Sequence, residues 1–246
     1  KLIERGFKEA DIKVMENQLF PEDEQKTPDK EVLRYRDAVM DGFESFKKFS
    51  LTTRTILNIQ RVLLPGSSGE YRRLQNGIQN SSTKQITYTP PVAINIPKLM
   101  ENLEKFMNNK GEDIDPLIKC AIAHYQFEAI HPFSDGNGRT GRILMVLYLV
   151  NSGILTYPTL FISGYINSNK SDYYKLLLEV TSKGNWEDYL LFMMRGFYFQ
   201  AKETKQLLFE IMKSFFAFKN RLKKDHKIIY SADLVEALIS YPVITP

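Results

Sequence analysis

The sequence predicts an all-α protein with one small β-hairpin. Apolar residues recur at helical spacing along most of the 246 residues. Residues 74–91 are the exception: Asn76-Gly77 and Asn80-Ser81-Ser82 favour turns, and Gln85-Ile86-Thr87-Tyr88 alternates polar and apolar side chains, so an exposed hairpin is expected. Apart from two helices that flank residues 131–142, the pattern predicts helices at about 32–48, 52–63, 97–109, 171–182, 186–200 and 201–224.

Composition divides the chain into three predicted parts. Residues 1–30 are expected to form an N-terminal helical segment and a solvated linker, because residues 21–31 contain two prolines and seven charges. Residues 31–200 form the core, and residues 201–246 form C-terminal helices. The final stretch, SADLVEALISYPVITP, predicts one short helix followed by a turn.

Two helices are expected on either side of residues 131–142. The first begins with Asp115 as its N-cap and Pro116 at its first position, and it ends in HYQFEAI. The second contains ILMVLYLV, which is apolar on every side and is closed by Gly153 at its C-terminus. An all-round apolar helix predicts a central, fully buried position.

Residues 131–142 read HPFSDGNGRTGR and carry most of the chemistry in the chain. They combine an imidazole, a carboxylate, a carboxamide, three glycines and two guanidinium groups. Glycines let several backbone N–H groups point at one spot, the helix that follows adds its positive end, and the arginines add full charge. The stretch predicts a polyphosphate site with a base and a metal ligand at its rim.

The three glycines also spell GxGxxG, the fingerprint of dinucleotide-binding loops. That fingerprint requires a preceding strand and an acidic residue about 20 positions later. Here a helix precedes the loop, so the dinucleotide interpretation is rejected.

The stretch resembles the Fic family motif HxFx(D/E)GNGRxxR at every defined position. The resemblance extends to GEYRR at Gly69–Arg73, to Tyr88-Thr89-Pro90-Pro91 and to NSNKSDYYKLL at Asn167–Leu177, and it covers about residues 30–200. It implies a mainly helical Fic fold with a hairpin flap and a catalytic core at 31–200. It also implies transfer of AMP from ATP to a Ser, Thr or Tyr hydroxyl of a target protein, with release of pyrophosphate.

The chemistry of the motif and the resemblance together suggest a role for each polar residue. His131 is the expected general base, Asp135 the Mg²⁺ ligand, and Asn137 a donor to the α-phosphate. The remaining nucleotide-binding residues are expected to be Gly136, Gly138, Arg139, Thr140, Gly141 and Arg142. Pro132 and Phe133 are interpreted as structural, His124 as a helix-packing group and His226 as solvated.

Two features outside the motif are assigned from the resemblance. Tyr173 or Tyr174 is expected to form a wall of the adenosine pocket, with Tyr173 favoured, although tyrosines in helices are usually core residues. The hairpin, through Ile86 and Tyr88, is expected to pair with an extended segment of the target protein. An ordinary surface hairpin is the alternative.

Several alternatives stay open. Fic-type transferases that use other nucleotides, and relatives that phosphorylate their targets, are the enzymatic alternatives; the intact GNGR favours nucleotidyl transfer. A second class is a nucleotide-binding regulatory or DNA-associated module acting through a C-terminal unit, since residues 201–246 resemble the start of a winged-helix unit. His131 argues against it, because binding alone needs no base.

Composition is that of a cytoplasmic enzyme. The net charge of +4 does not indicate nucleic acid or membrane, and the single Cys120 excludes an internal disulfide. No apolar run approaches the roughly 18 residues of a membrane span, and no signal peptide is visible, although the chain begins with Lys1. The oligomeric state stays open, with a homodimer as one alternative.

Many Fic proteins restrain themselves with a helix bearing (S/T)xxxE(G/N), whose Glu pairs with the second motif arginine. No complete match is present, and Glu16 is not interpreted as the inhibitor because the required Ser or Thr is absent. By resemblance, about nine residues are missing between Ala10 and Asp11. If they include such a Glu, it is expected to pair with Arg142.

Overall fold

The structure, a computed structural model, describes residues 28–46, 50–79, 85–109, 111 and 113–240. Its helices are α1 (Pro28–Phe46), α2 (Thr53–Leu63), α3 (Ile96–Asn108), α4 (Pro116–Ile130), α5 (Asn137–Asn151), α6 (Ile162–Ser168), α7 (Lys170–Lys183), α8 (Trp186–Asp225) and α9 (Ala232–Ser240). A short 3₁₀ helix, Ala93–Asn95, precedes α3. The predicted all-α class with a small hairpin is confirmed.

The hairpin consists of β1 (Ile78–Gln79) and β2 (Ile86–Tyr88). The strands are antiparallel and pair Ile78 with Tyr88 and Gln79 with Ile86. No third strand joins them within the described ranges, so each strand keeps one edge without a strand partner. The predicted turn residues Asn80-Ser81-Ser82 lie outside the described residues.

Helix α5 forms the centre of the core, as its sequence predicts. Every residue from Ile143 to Leu149 is buried. Helices α1, α2 and α4 pack around it, and α8 and α3 pack against α4 on its other side. The loop 131–136 that joins α4 to α5 therefore connects two packed core helices.

Two helix predictions need correction. The helices expected at 186–200 and 201–224 are one continuous helix, α8, of 40 residues, because no glycine or proline interrupts the chain at residue 200. Helix α6 was not predicted, because its sequence ISGYINS is short and polar. The carboxamide of Gln200 on α8 donates to Glu203 and accepts the backbone N–H of Tyr165, which attaches α6 to α8.

Some predictions concern residues that the structure does not describe. The segment 1–27, which includes Glu16 and the Ala10–Asp11 junction, lies outside the described ranges, as does 241–246. The assignment of three parts to the chain therefore remains a prediction. Among the described helices, none has the length and apolar character needed to cross a membrane.

Candidate active site

His131 lies directly after α4 in a backbone conformation that is unusual for its residue type. Asp115 caps the start of this helix, with its carboxylate 2.8 Å from the N–H of Leu117. His131 ends the helix with φ 50° and ψ 60°, and it is the one non-glycine with positive φ in the described part of the chain. The left-handed conformation costs about 1–2 kcal/mol for such a residue. Surrounding contacts must therefore hold it.

The imidazole of His131 is partly buried, and burial favours its neutral form. Burial lowers its pKa, and the nearby guanidinium of Arg72 lowers it further. Among the described residues, Nδ1 has no partner that meets hydrogen-bond geometry, although the backbone of Glu128 comes near enough to oppose part of the pKa shift. A neutral imidazole is the form that can accept a proton.

Asn137 closes the loop after His131. Its Nδ2 donates to the carbonyl of Phe133, and its Oδ1 accepts the N–H of the same residue, both at 2.8 Å. The residue is 3% exposed. The carboxamide of Asn137 therefore fixes the shape of the loop, and the expected contact of this residue with a phosphate stays a prediction.

Gln60 on α2 fixes the same loop from the other side. Its Nε2 donates to the carbonyl of Asp135 at 2.8 Å, and its Oε1 accepts the hydroxyl of Thr140 at 2.7 Å. Thr140 is fully buried, and its hydroxyl supports the loop through this bond. Its expected contact with a nucleotide stays a prediction. Gln60 was not predicted. A glutamine among the apolar positions of an amphipathic helix is the signal that would have revealed it.

The glycines bring the backbone close to its neighbours. Gly136 has φ 79°, and a Cβ there would lie 2.9 Å from Leu64. A Cβ at Gly138 would lie 3.0 Å from Nη1 of Arg142, which places that guanidinium beside the first turn of α5. Helix hydrogen bonding starts with the N–H of Thr140, so the three preceding amides have no intrahelical acceptor. These amides and the guanidinium form a site suited to an anion.

Arg139 pairs with two carboxylates at the rim of the loop. Its Nη1 lies 2.6 Å from Glu31 of α1, and its Nη2 lies 3.6 Å from Asp135. The side chain of Asp135 is 76% exposed, and its Oδ1 accepts the N–H of Gly136. The described residues contain no cluster of three metal-ligating side chains. One exposed carboxylate fits an ion such as Mg²⁺ that takes most of its ligands from substrate phosphates and water.

Arg142 lies deeper and is surrounded by polar groups. Its Nε donates to the Ser163 hydroxyl at 2.9 Å. Glu128 of α4 lies beside Gly141, and one of its carboxylate oxygens is enclosed without a hydrogen-bond partner among the described residues. Burial raises the pKa of Glu128 to about 7, and Arg142 opposes this rise only in part.

The arrangement of these residues agrees with comparisons to known proteins. Residues 50–149, which contain α2, the hairpin, α4 and most of α5, match the model of the Fic/DOC family. The chain carries a Fic/DOC family domain.

The sequence relatives of this Fic domain are named protein adenylyltransferase Fic. The protein of Aedes aegypti is 33% identical over 166 residues, which are 65% of this chain and 30% of that protein. The protein of Drosophila grimshawi is 31% identical over 152 residues, which are 60% of this chain and 29% of that protein. The chain thus spans less than a third of the length of these relatives.

Solved structures have the same fold. A Fic family protein from Desulfovibrio desulfuricans G20 superimposes with a TM-score of 0.61 at 27% identity, covering 74% of this chain and 55% of that one. A Fic domain-containing signaling protein from Bacteroides thetaiotaomicron has a TM-score of 0.56 at 21% identity, covering 78% and 79% of the two chains. The second likeness concerns the fold alone.

The adjacent residues Tyr173 and Tyr174 have different surroundings. Tyr173 is 3% exposed, and its hydroxyl lies 2.7 Å from Nε2 of His124. Its expected role as a pocket wall stays a prediction. His124 packs between helices as predicted. Tyr174 is half exposed, with the ammonium group of Lys170 5.9 Å from its ring centre. Of the pair, Tyr174 is accessible to a ligand.

The hairpin is attached to the Fic core beside His131. Ile86 is largely exposed, as expected of a docking strand. Tyr88 is partly buried, and its hydroxyl donates to the carbonyl of Ala129 at 2.8 Å. The side chain of Tyr88 thus anchors the hairpin to the last turn of α4. The docking role expected for this residue stays a prediction. Arg72, a further residue without a predicted role, contacts both His131 and the hairpin ends.

Proposed function

We propose that this chain transfers AMP from ATP to a hydroxyl side chain of a target protein and releases pyrophosphate. One observation carries the proposal. The imidazole of His131 directly precedes a loop that leads into the N-terminus of a buried helix, with the guanidinium of Arg142 beside that N-terminus. The names of the sequence relatives support the same reaction.

The proposed reaction is an in-line displacement at the α-phosphorus. The target hydroxyl oxygen forms a bond to the α-phosphorus, and the bond from that phosphorus to the bridging oxygen of the β-phosphate breaks. His131 accepts the hydroxyl proton, an assistance worth about 10²- to 10⁴-fold. The amides at the start of α5, Arg139 and Arg142 hold the phosphate charge, so that positioning and electrostatics supply the remainder.

The proposed residue roles follow from where the side chains point. Gly136, Gly138 and Gly141 let the backbone and its neighbours approach, Arg139 and Arg142 bind phosphates, and Asp135 holds Mg²⁺ when that ion arrives with ATP. The ion neutralises phosphate charge. We propose that adenosine binds near Tyr174 and that the target segment pairs with β2 near Ile86.

Labelled ATP tests the proposal. The chain, ATP and Mg²⁺ are incubated with a lysate of its own host, with the label at either the α- or the γ-phosphate. Label from the α-phosphate is expected on protein, and label from the γ-phosphate is not. The reverse pattern identifies a phosphotransferase, and ATP binding without labelled protein identifies a binding module.

His131→Ala is the matched variant for this experiment. If the imidazole acts on the hydroxyl and not on the nucleotide, transfer is lost while ATP binding, measured by calorimetry, stays nearly unchanged. Equal loss of transfer and ATP binding would assign His131 a structural role and would contradict the proposed base.

A further inference from the structure

Arg72 is a buried cation with an unusual set of partners. Only 5% of its surface is exposed, yet its guanidinium binds three main-chain carbonyls, those of His131, Leu74 and Pro91. Its backbone N–H also donates to the carbonyl of Pro132 at 2.9 Å. No carboxylate contacts this guanidinium within the described ranges. Burying a charge without a counter-charge is costly, so the carbonyl contacts must compensate for it.

The first of these carbonyls belongs to His131. The Arg72 Nε lies 2.9 Å from this oxygen, and the His131 N–H donates to Phe127 at 3.0 Å. Hydrogen bonds thus hold the left-handed His131 at its own N–H and carbonyl and at the carbonyl of the next residue, Pro132. A conformation of this kind persists where the surroundings over-determine it. The backbone conformation of His131 determines the direction in which its side chain leaves the main chain.

The other two carbonyls flank the hairpin. Leu74 lies before β1 and Pro91 after β2, and the guanidinium binds both. Gln75 adds a bond of 2.8 Å between the two ends, from its Nε2 to the carbonyl of Pro90. The same planar group therefore contacts both ends of the hairpin and the backbone of His131.

We propose that Arg72 is a positioning residue that sets the distance between His131 and the hairpin, so that a hydroxyl on a segment paired with β2 reaches the imidazole. The inference rests on the proposed transfer reaction and adds a residue to it. Arg72 touches neither nucleotide nor target; it acts through the main chain. Lysine cannot replace it, because one ammonium group cannot reach three carbonyls in the geometry of a planar fork.

The test compares Arg72→Lys with Arg73→Lys. Arg73 is the adjacent residue, its side chain is 84% exposed, and it pairs with Glu70 at the surface. ATP affinity is measured by calorimetry, and AMP transfer is measured over a range of target concentrations. Arg72→Lys should lower kcat about 10- to 100-fold, the scale of a misplacement of about 1 Å, with ATP affinity unchanged. Arg73→Lys should behave like the wild type.

A second measurement does not depend on transfer. The chain has three histidines, so its NMR spectrum contains few imidazole resonances. The His131 resonance is the one that disappears in His131→Gln, and it is then followed in the two arginine variants. The His131 resonance and its titration should change in Arg72→Lys and stay unchanged in Arg73→Lys. If wild-type chain labels no protein, the proposed function fails, and the His131 resonance still decides whether Arg72 positions the imidazole.

Tyr88→Phe covers the case in which Arg72→Lys does not fold. This change removes the hydroxyl that donates to Ala129, and it leaves the buried charge in place. It should raise KM for the target with a smaller loss in kcat. If Arg72→Lys folds, a wild-type kcat together with an unshifted His131 resonance would overturn the inference. If only Tyr88→Phe folds, wild-type values of KM and kcat in that variant would overturn it.

Discussion

Nη1 of Arg139 lies 2.6 Å from Oε1 of Glu31, which precedes it by 108 positions in the chain. The guanidinium proposed to bind phosphate is thus engaged by a carboxylate of α1. Glu31 is more than half exposed, so water screens the pair. A phosphate and this carboxylate must compete for the same group.

Glu31→Gln should therefore tighten ATP binding. An exposed pair contributes about 0.2–1 kcal/mol, which corresponds to at most about a fivefold gain in affinity. Asp37→Asn is the control, because Asp37 is an exposed carboxylate of the same helix that pairs with Arg36. Calorimetric titration with ATP measures both. Equal gains in the two variants would assign the effect to net charge.

Asn137→Ala should destabilise the protein. The change leaves the N–H and the carbonyl of Phe133 buried without their partner, at a cost of about 1–3 kcal/mol. Urea unfolding measures the loss. Ser134→Ala, in the exposed part of the same loop, should change the free energy of unfolding little. A variant at Asn137 with wild-type stability would mean that the loop holds its shape by other contacts.

Gly138 and Gly141 should respond differently to alanine. A Cβ at Gly141 would lie 2.5 Å from Glu128 Oε1 and 3.0 Å from the Phe127 ring, so Gly141→Ala should cost about 1–3 kcal/mol of stability. A Cβ at Gly138 would meet the mobile end of Arg142, which can move away. Gly138→Ala should keep the stability of the wild type and weaken ATP binding. Thermal unfolding with and without ATP separates the two effects, and equal destabilisation would contradict the difference.

Glu128 should make the protein less stable as pH rises. Its pKa is about 7 in the folded protein against 4.5 for a free side chain, so the folded state binds the extra proton. Stability should therefore fall between pH 4.5 and about 7, by at most about 3 kcal/mol, and then level off. Glu128→Gln should lack this slope, so the difference in free energy of unfolding between the wild type and the variant should change across this pH range. An unchanged difference across that range would show that Glu128 ionises normally.

The local parts of the fold could be predicted from the sequence. The cap at Asp115, the buried character of α5 and the hairpin each follow from a short stretch of chain. The residue types of 131–142 indicated an anion site, because their chemistry is carried by adjacent positions. Helix α8 was divided in two by the prediction, although its sequence contains no break.

The direction of individual side chains could not be predicted in this way. Asn137, Thr140 and Tyr173 carry polar groups suited to a ligand, yet each satisfies them inside the protein. Residue type specifies what a group can bind, and only packing decides what it meets. Gln60 and Arg72 were missed for the same reason, since their partners lie 75 and 59 positions away in the chain.

The acceptors of the Arg72 guanidinium all belong to the main chain. Every amino acid at positions 74, 91 and 131 offers the same carbonyl oxygen, so the bonds do not depend on the side chains there. The hairpin strands between them can therefore exchange residues such as Ile86 without changing how the hairpin is attached. In the proposed reaction, recognition of a new target can thus evolve separately from the chemistry.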